Sequence, residues 1–137
     1  MAIVVGFVPT PEGRAALERA LAEAKLRRLP LEVVDSHRGG GSYDVKEAHR
    51  IEAELEEFGT RLKAEGVPHN IRSFVRGNDP SEDLVSVAEE SEAELIVIGL
   101  RRRTPVGKLL LGSNAQQILL NADCPVLAVK APKSDPE

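Results

Sequence analysis

The sequence of 137 residues is poor in aromatic residues and in cysteine. It contains no tryptophan, one tyrosine and three phenylalanines, so its core must be aliphatic. With so few aromatic rings, we do not expect a stacking surface for single-stranded nucleic acid. The single cysteine, Cys124, cannot form a disulfide within the chain, and the fold needs no oxidising compartment.

A strong net charge and long apolar runs are also missing. The net charge of -4 argues against a duplex-binding surface spread over the whole protein. No apolar run approaches the roughly 18 residues that a membrane-spanning helix requires. The start, MAIVVGFVPTPEG, lacks a basic region and is typical of a strand rather than a signal peptide. We therefore expect a cytoplasmic protein with neither nucleic acid nor a membrane as a partner.

Five short runs rich in valine and isoleucine alternate with four longer amphipathic segments. The runs LIVIG and PVLAV are almost continuously apolar, which indicates burial on both faces, as in a parallel sheet. The five predicted strands are residues 2–8, 31–36, 70–75, 95–99 and 126–129.

The four intervening segments carry the signals of helix starts. Thr10-Pro11 predicts a helix that ends near Arg28, and Asp79-Pro80 repeats the same signal. Between them, residues 44–65 place apolar side chains on one stripe. The fourth helix begins at Gly112-Ser113, and its inward residues are predicted to be Ala115, Ile118 and Leu119.

Alternating strands and helices predict one α/β domain over residues 1–131, followed by a frayed tail over residues 132–137. The strands should be parallel, with right-handed crossovers and helices on both faces. In such sheets a ligand binds at the carboxyl ends of the strands, where the winding direction reverses.

The segment IVIGLRRRTPVGKLLLGS, residues 96–113, lies at that edge of the predicted sheet. A glycine at a strand end, Gly99, would let another molecule approach the backbone. Gly112 and Ser113 at a helix start would leave N–H groups and positive dipole facing an anion. Three arginines, residues 101–103, lie between them. The segment therefore predicts a site for a phosphorylated small molecule, or else a solvated basic loop that offsets the acidic third helix.

The positions of Gly99, Arg102, Gly112 and Ser113 keep the intervals of the pattern Gly-x2-Gly-x9-Gly-(Ser/Thr). That pattern is typical of the ATP-binding branch of the universal stress protein family, which the whole chain resembles. The flanking KLLLGS and CPVLAV segments are similar to the family too. The resemblance implies a three-layer α/β sandwich of the adenine nucleotide alpha hydrolase-like type. Its sheet would have five parallel strands in the order 3-2-1-4-5, with two helices on each face.

The resemblance also implies a pocket between strands one and four for ATP or another adenine nucleotide, with Mg²⁺ bound only together with the nucleotide. Backbone amides at the start of the fourth helix would bind phosphate, an arginine would balance its charge, and strand-end residues would border the nucleoside. The implied nucleotide-binding residues are Val8, Pro9, Thr10, Val34, Ile98, Gly99, Arg102, Arg103, Gly112, Ser113 and Asn114.

Two positions depart from the family pattern. The second glycine is replaced by Arg102, which could crowd the loop or reach a phosphate with its guanidinium. The aspartate usual at the end of strand one is replaced by Val8, which removes one polar contact. A loss of this kind costs on the order of 1 kcal/mol, so it weakens a site without abolishing it.

The last strand would lie at an open edge of the sheet, where another chain can pair with it. The family commonly dimerises through this strand, so we expect a symmetric homodimer. The expected interface residues are Pro125, Val126, Leu127, Ala128 and Val129. An alternative function is therefore a nucleotide-free dimeric interaction protein of the same fold, with unknown protein partners.

Other candidate residues have weaker support. Asp35 and His37 at the end of strand two could contact a ribose or base, or belong to a solvated loop. Cys124 lacks a basic partner in the sequence and is interpreted as an inert thiol. A P-loop is excluded because Arg102 stands where its first glycine is required. No catalytic motif is present, so we expect a protein that is not an enzyme, with slow, incidental ATP hydrolysis at most.

Overall fold

The computed structural model describes residues 1–37, 44–75, 79–101 and 112–132, in which strands and helices alternate strictly. The strands are β1 (Ala2–Phe7), β2 (Leu31–His37), β3 (His69–Val75), β4 (Ala93–Leu100) and β5 (Val126–Lys130). The helices are α1 (Pro11–Arg27), α2 (Val45–Ala64), α3 (Pro80–Glu90) and α4 (Ser113–Asn121). Each predicted element is present; Val8, predicted as strand, lies just beyond β1.

The five strands form one parallel sheet in the order β3-β2-β1-β4-β5, which confirms the predicted order. From β1 the chain winds outward through β2 to β3, and β4 then returns to the other side of β1. The winding direction therefore reverses between β1 and β4. The carboxyl ends of these two central strands border the crevice in which such sheets bind ligands.

Two helices cover each face of the sheet, as predicted. Alternate strand residues point to opposite faces. Val5 and Val33 pack with α1 and α2 in one apolar cluster. Val4 and Val34 pack with α3 and α4 in the other. The sheet is thus the middle layer of a three-layer sandwich. None of the helices in the described residues is both long and apolar enough to cross a membrane.

The helix starts follow the sequence signals in part. Thr10 is the N-cap of α1, and its hydroxyl oxygen accepts a hydrogen bond from the Gly13 amide at 3.1 Å. Asp79 occupies the N-cap position of α3, yet its side chain makes no capping hydrogen bond there. Pro11 and Pro80 each follow their cap, as expected at a position whose N–H has no acceptor within the helix.

The outer end of the sheet is less buried than predicted. The PVLAV run was expected to be buried on both faces, but Ala128 is exposed and its apolar neighbours are only half-buried. Leu119, predicted to face inward, is 48% exposed. The reason is that β5 is an edge strand, with one neighbour, β4, among the described residues. Helix α4, which precedes β5 in the chain, has nine residues, of which only Ile118 is buried.

Candidate functional site

A cavity of about 110 Å³ lies at the carboxyl ends of β1, β2 and β4, at the reversal point of the sheet. The first turns of α3 and α4 form its walls. Its lining is mostly apolar, with a few hydroxyl and amide groups. The lining residues are Gly6, Phe7, Val8, Val34, Ser36, Pro80, Ser81, Leu84, Ile98, Gly99, Asn114, Ala115 and Ile118.

The floor of the cavity is the face of the sheet that is turned towards α3 and α4. Val34 and Ile98 belong to the apolar cluster on that face. Gly6 lies between them on β1, and a Cβ at this position would come within 3.1 Å of the Leu84 side chain. Because residue 6 has no side chain, nothing projects from the centre of the floor into the cavity. Sequence reasoning missed Gly6, although a glycine within an apolar strand marks close approach of another group.

Gly99 lines the cavity, and the structure shows why a glycine is needed at this position. A Cβ at residue 99 would lie 2.5 Å from the carbonyl oxygen of Glu12, on the opposite face of the sheet. The missing side chain therefore admits the backbone of α1 rather than a ligand. Gly13 acts in the same way, because its Cβ would lie 1.8 Å from the carbonyl oxygen of Val8. The two glycines together bring the start of α1 against the ends of β1 and β4.

The start of α4 forms the wall on the β4 side. Gly112 is the N-cap, with φ -66° and ψ 161°, and a Cβ added there would meet no heavy atom of the described residues within 4 Å. Asn114 lines the cavity, whereas Ser113 lines an adjacent groove between α3 and α4. The first amides of a helix have no acceptor within it and carry positive dipole. This end of the cavity therefore suits a negative group.

The three candidate residues of the loop after β1 lie differently with respect to the cavity. Val8 is 44% exposed and lines the cavity. Pro9 lies within a tight turn, in which the Thr10 amide donates to the Val8 carbonyl at 2.8 Å. The Thr10 hydroxyl caps α1, so its oxygen already accepts a hydrogen bond. Val8 is thus the residue of this loop that borders the cavity.

Two of the predicted residues, Arg102 and Arg103, lie outside the described residues. The proposed counter-charge for phosphate therefore stays a prediction. Of the predicted strand-end and helix-start residues, the cavity brings together Val8, Val34, Ile98, Gly99 and Asn114.

Ser36 and Asp83 form a polar pair at the cavity that sequence reasoning missed. The Ser36 hydroxyl lines the cavity and donates to Oδ2 of Asp83 at 2.5 Å. Asp83 lies on α3 and is only 3% exposed. Because these residues are 47 positions apart in the chain, no local pattern could have paired them.

Beyond the cavity, a groove of about 500 Å³ separates α3 from α4. The cavity and the groove share Ser81 and Asn114. The groove is also lined by the carboxylates of Glu82 and Glu89. An acidic lining repels phosphate, so the cavity and the start of α4 are better suited to an anion than the groove is.

Asp35 and His37 do not line this cavity. Asp35 follows Val34 on β2, so its side chain points to the opposite face of the sheet, which carries α1 and α2. It is 4% exposed, and Nε2 of His37 lies 2.8 Å from its Oδ1. Burial raises the pKa of Asp35, and the contacts with His37 and Ser73 offset part of that rise. The pair is therefore a structural feature of the opposite layer.

Cys124 and the possible metal ligands add no reactive group. Burial raises the pKa of the Cys124 thiol, with a further contribution from the charge of Asp123. A raised pKa disfavours the thiolate, which agrees with an inert thiol. Among the described residues, no cluster of three or more His, Cys, Asp or Glu side chains could hold a metal ion.

Comparison with known protein families shows to which of them this chain is related. The family model described as the universal stress protein family matches residues 1–130. The chain belongs to this family. A universal stress protein of Mycolicibacterium smegmatis is 45% identical over 133 residues, which cover 93% of this chain and 96% of that protein.

Solved structures of the family share the fold. The structure of a universal stress protein from Archaeoglobus fulgidus superposes with a TM-score of 0.77 at 36% identity, covering 95% of this chain and 98% of its own. A structure of the universal stress protein from the same organism in complex with dAMP has a TM-score of 0.70 at 32% identity, with the same coverage. The family therefore includes a member that binds an adenine nucleotide.

Proposed function

We propose that this protein binds ATP or a related adenine nucleotide and acts as a regulatory module in a stress response. The observation that carries the proposal is the cavity at the reversal point of the sheet. It has an apolar floor for a base, and it opens beside the start of α4. The dAMP complex of the related Archaeoglobus protein supports the choice of an adenine nucleotide.

The size of the cavity supports a division of the ligand between two places. Sites that enclose a whole drug-sized ligand measure about 300–1,000 Å³, so a cavity of about 110 Å³ would enclose the base alone. The base would lie against Val8, Val34 and Ile98. The sugar and phosphates would then extend towards the start of α4 (Gly112, Ser113 and Asn114), with Arg102 or Arg103 as counter-charge.

The proposed role is binding rather than turnover. Helix-start amides stabilise a phosphate without requiring any reaction. Mg²⁺ would reach the site together with ATP, held through its phosphate oxygens. The bound nucleotide would then select between conformations or partners, and hydrolysis would be slow and incidental.

Thermal unfolding with and without Mg-ATP tests this proposal. A ligand at 100 times its Kd stabilises the folded state by about 2.7 kcal/mol, which is easily measured. Replacing Gly112 with Phe should remove the shift, taken from the variant's own ligand-free Tm, because the ring would cover the helix start. Arg103→Ala should reduce the shift without unfolding the protein. No shift at millimolar ATP would contradict the proposal.

A second candidate is a nucleotide-free homodimer that docks other proteins. The open edge of β5 and the exposed Leu119 and Leu120 of α4 favour this alternative, since they leave apolar surface without a partner within the described chain. The melting experiment separates the two candidates, because only the first predicts a ligand-dependent shift.

A further inference from the structure

Ser36 stands out among the residues that line the cavity because its hydroxyl hydrogen is already used. Its Oγ donates to Oδ2 of Asp83 at 2.5 Å. Hydrogen bonds from a hydroxyl to a carboxylate are short and strong, typically about 2.5–2.7 Å. Asp83 is 3% exposed, so solvent does not compete for the carboxylate.

This contact fixes the hydrogen-bonding role of Ser36. A serine hydroxyl has one hydrogen to donate and two lone pairs that accept. With the hydrogen held by Asp83, only the lone pairs remain for a molecule in the cavity. Towards a ligand in the cavity, Ser36 can therefore act only as a hydrogen-bond acceptor.

We propose that Ser36, held by Asp83, selects a base that carries an amino group over one that carries a carbonyl at the same position. This inference rests on the proposed nucleotide function and specifies how the base is read. Adenine presents N–H donors at its 6-position, whereas hypoxanthine and guanine present an acceptor oxygen there. The amino group donates to Ser36, while the carbonyl oxygen would face its lone pairs.

The surroundings make this discrimination effective. Val34, Leu84 and Ile98 also line the cavity. Their side chains have no hydrogen-bond donor for the carbonyl oxygen of a wrong base. A carbonyl oxygen placed against the Ser36 lone pairs would leave both acceptors without a donor, and buried polar groups left unpaired weaken binding. An unpaired group of this kind weakens binding about tenfold to a hundredfold.

Calorimetric titration with AMP and IMP tests the inference, since these two nucleotides differ in the base at the 6-position. The wild-type protein should bind AMP at least about tenfold more tightly than IMP. Ser36→Ala should weaken AMP binding and bring the two affinities within about twofold of each other. Ser91→Ala is the matched control. It removes a hydroxyl at the far end of α3, which donates to the Val87 carbonyl, and it should keep the wild-type preference.

Asp83→Asn tests the same inference by changing the partner of Ser36. The amide of asparagine can donate to Ser36 and free the serine hydrogen, so the preference for AMP should fall or reverse. Thermal unfolding without ligand establishes that this variant is folded. If it is not, the Ser36→Ala titration decides the matter alone.

The outcomes separate the inference from the proposed function. If AMP binds and IMP binds equally well, the inference is wrong and the proposed function stands. A preference for AMP that survives Ser36→Ala would show that another group reads the base, which also overturns the inference. If neither AMP nor ATP binds at millimolar concentration, the proposed function fails and the inference fails with it.

Discussion

Gly99 and Gly112 belong to the same sequence pattern, but their surroundings are opposite. A side chain at residue 99 would overlap the backbone of Glu12, whereas a Cβ at residue 112 would meet no atom in the part of the chain that the structure describes. Backbone cannot move aside as a flexible side chain can. Gly99 is therefore required by the packing of α1, and Gly112 is not required by the packing of the described chain.

The same replacement at both positions should separate these roles. Gly99→Ser should lower the free energy of unfolding by about 1–3 kcal/mol, because overpacking forces α1 away from the sheet. Gly112→Ser should change it by no more than about 0.5 kcal/mol or raise it, since serine is a good N-cap. Urea denaturation measures both. Equal losses in the two variants would contradict this interpretation.

Asp35 should make stability depend on pH. Burial raises its pKa in the folded state above the ordinary value, so the folded state holds its proton to higher pH than the unfolded chain does. The contribution of Asp35 to the free energy of unfolding is therefore largest at low pH and falls as the pH rises through the raised pKa. Asp35→Asn removes that loss. Relative to wild type, this variant should therefore gain in unfolding free energy as the pH rises above about 4 in urea titrations.

Ser73→Ala provides the companion to that experiment. The Ser73 hydroxyl donates to Oδ2 of Asp35 at 3.3 Å and lowers its pKa. Without this contact the pKa of Asp35 rises further, and the free energy of unfolding should fall by more than in wild type as the pH rises above about 4. A pH profile that is unchanged in both variants would mean that Asp35 does not control it.

At the level of helices and strands, local patterns predicted most of the structure. Valine-rich runs became strands, and Thr10-Pro11 predicted the start of α1 because capping and a fixed proline φ are local effects. The errors lie at β5 and α4. The burial of Ala128 and Leu119 depends on which elements cover them, and an apolar pattern does not contain that information.

Contacts between elements were beyond sequence reasoning. Arg61 of α2 bridges to Glu18 of α1, and Arg14 of α1 bridges to Glu54 of α2, over 43 and 40 positions respectively. The Ser36–Asp83 pair at the cavity is separated even further. Such pairs form because the fold brings distant residues together. The strand-end and helix-start residues of the candidate site were named from the family resemblance, and their part in binding stays a prediction; the polar pair was not predicted at all.

At the scale of the whole molecule, the two edges of the sheet, β5 and β3, differ in how well they could pair with a second chain. Within the described residues β5 has one hydrogen-bonded neighbour, β4, and Leu120 of α4 is 77% exposed. The opposite edge strand, β3, is different in character, because it carries Arg72, which pairs with Glu32 and Glu90. Charged groups discourage pairing between edges, so the β5 side is the better surface for a second copy.

A homodimer through β5 should therefore sediment at twice the 14.8 kDa of one chain at micromolar concentration. Ala128 is the middle residue of β5 and would lie near its own copy across a two-fold axis. Ala128→Glu would place two like charges together in a buried interface, which should weaken the dimer by about tenfold or more. Asn70→Glu adds the same charge to the exposed face of β3 and should leave the mass unchanged. Sedimentation equilibrium of the three proteins decides the matter: a monomeric wild type, or an Ala128→Glu dimer as stable as wild type, would exclude β5 as the interface.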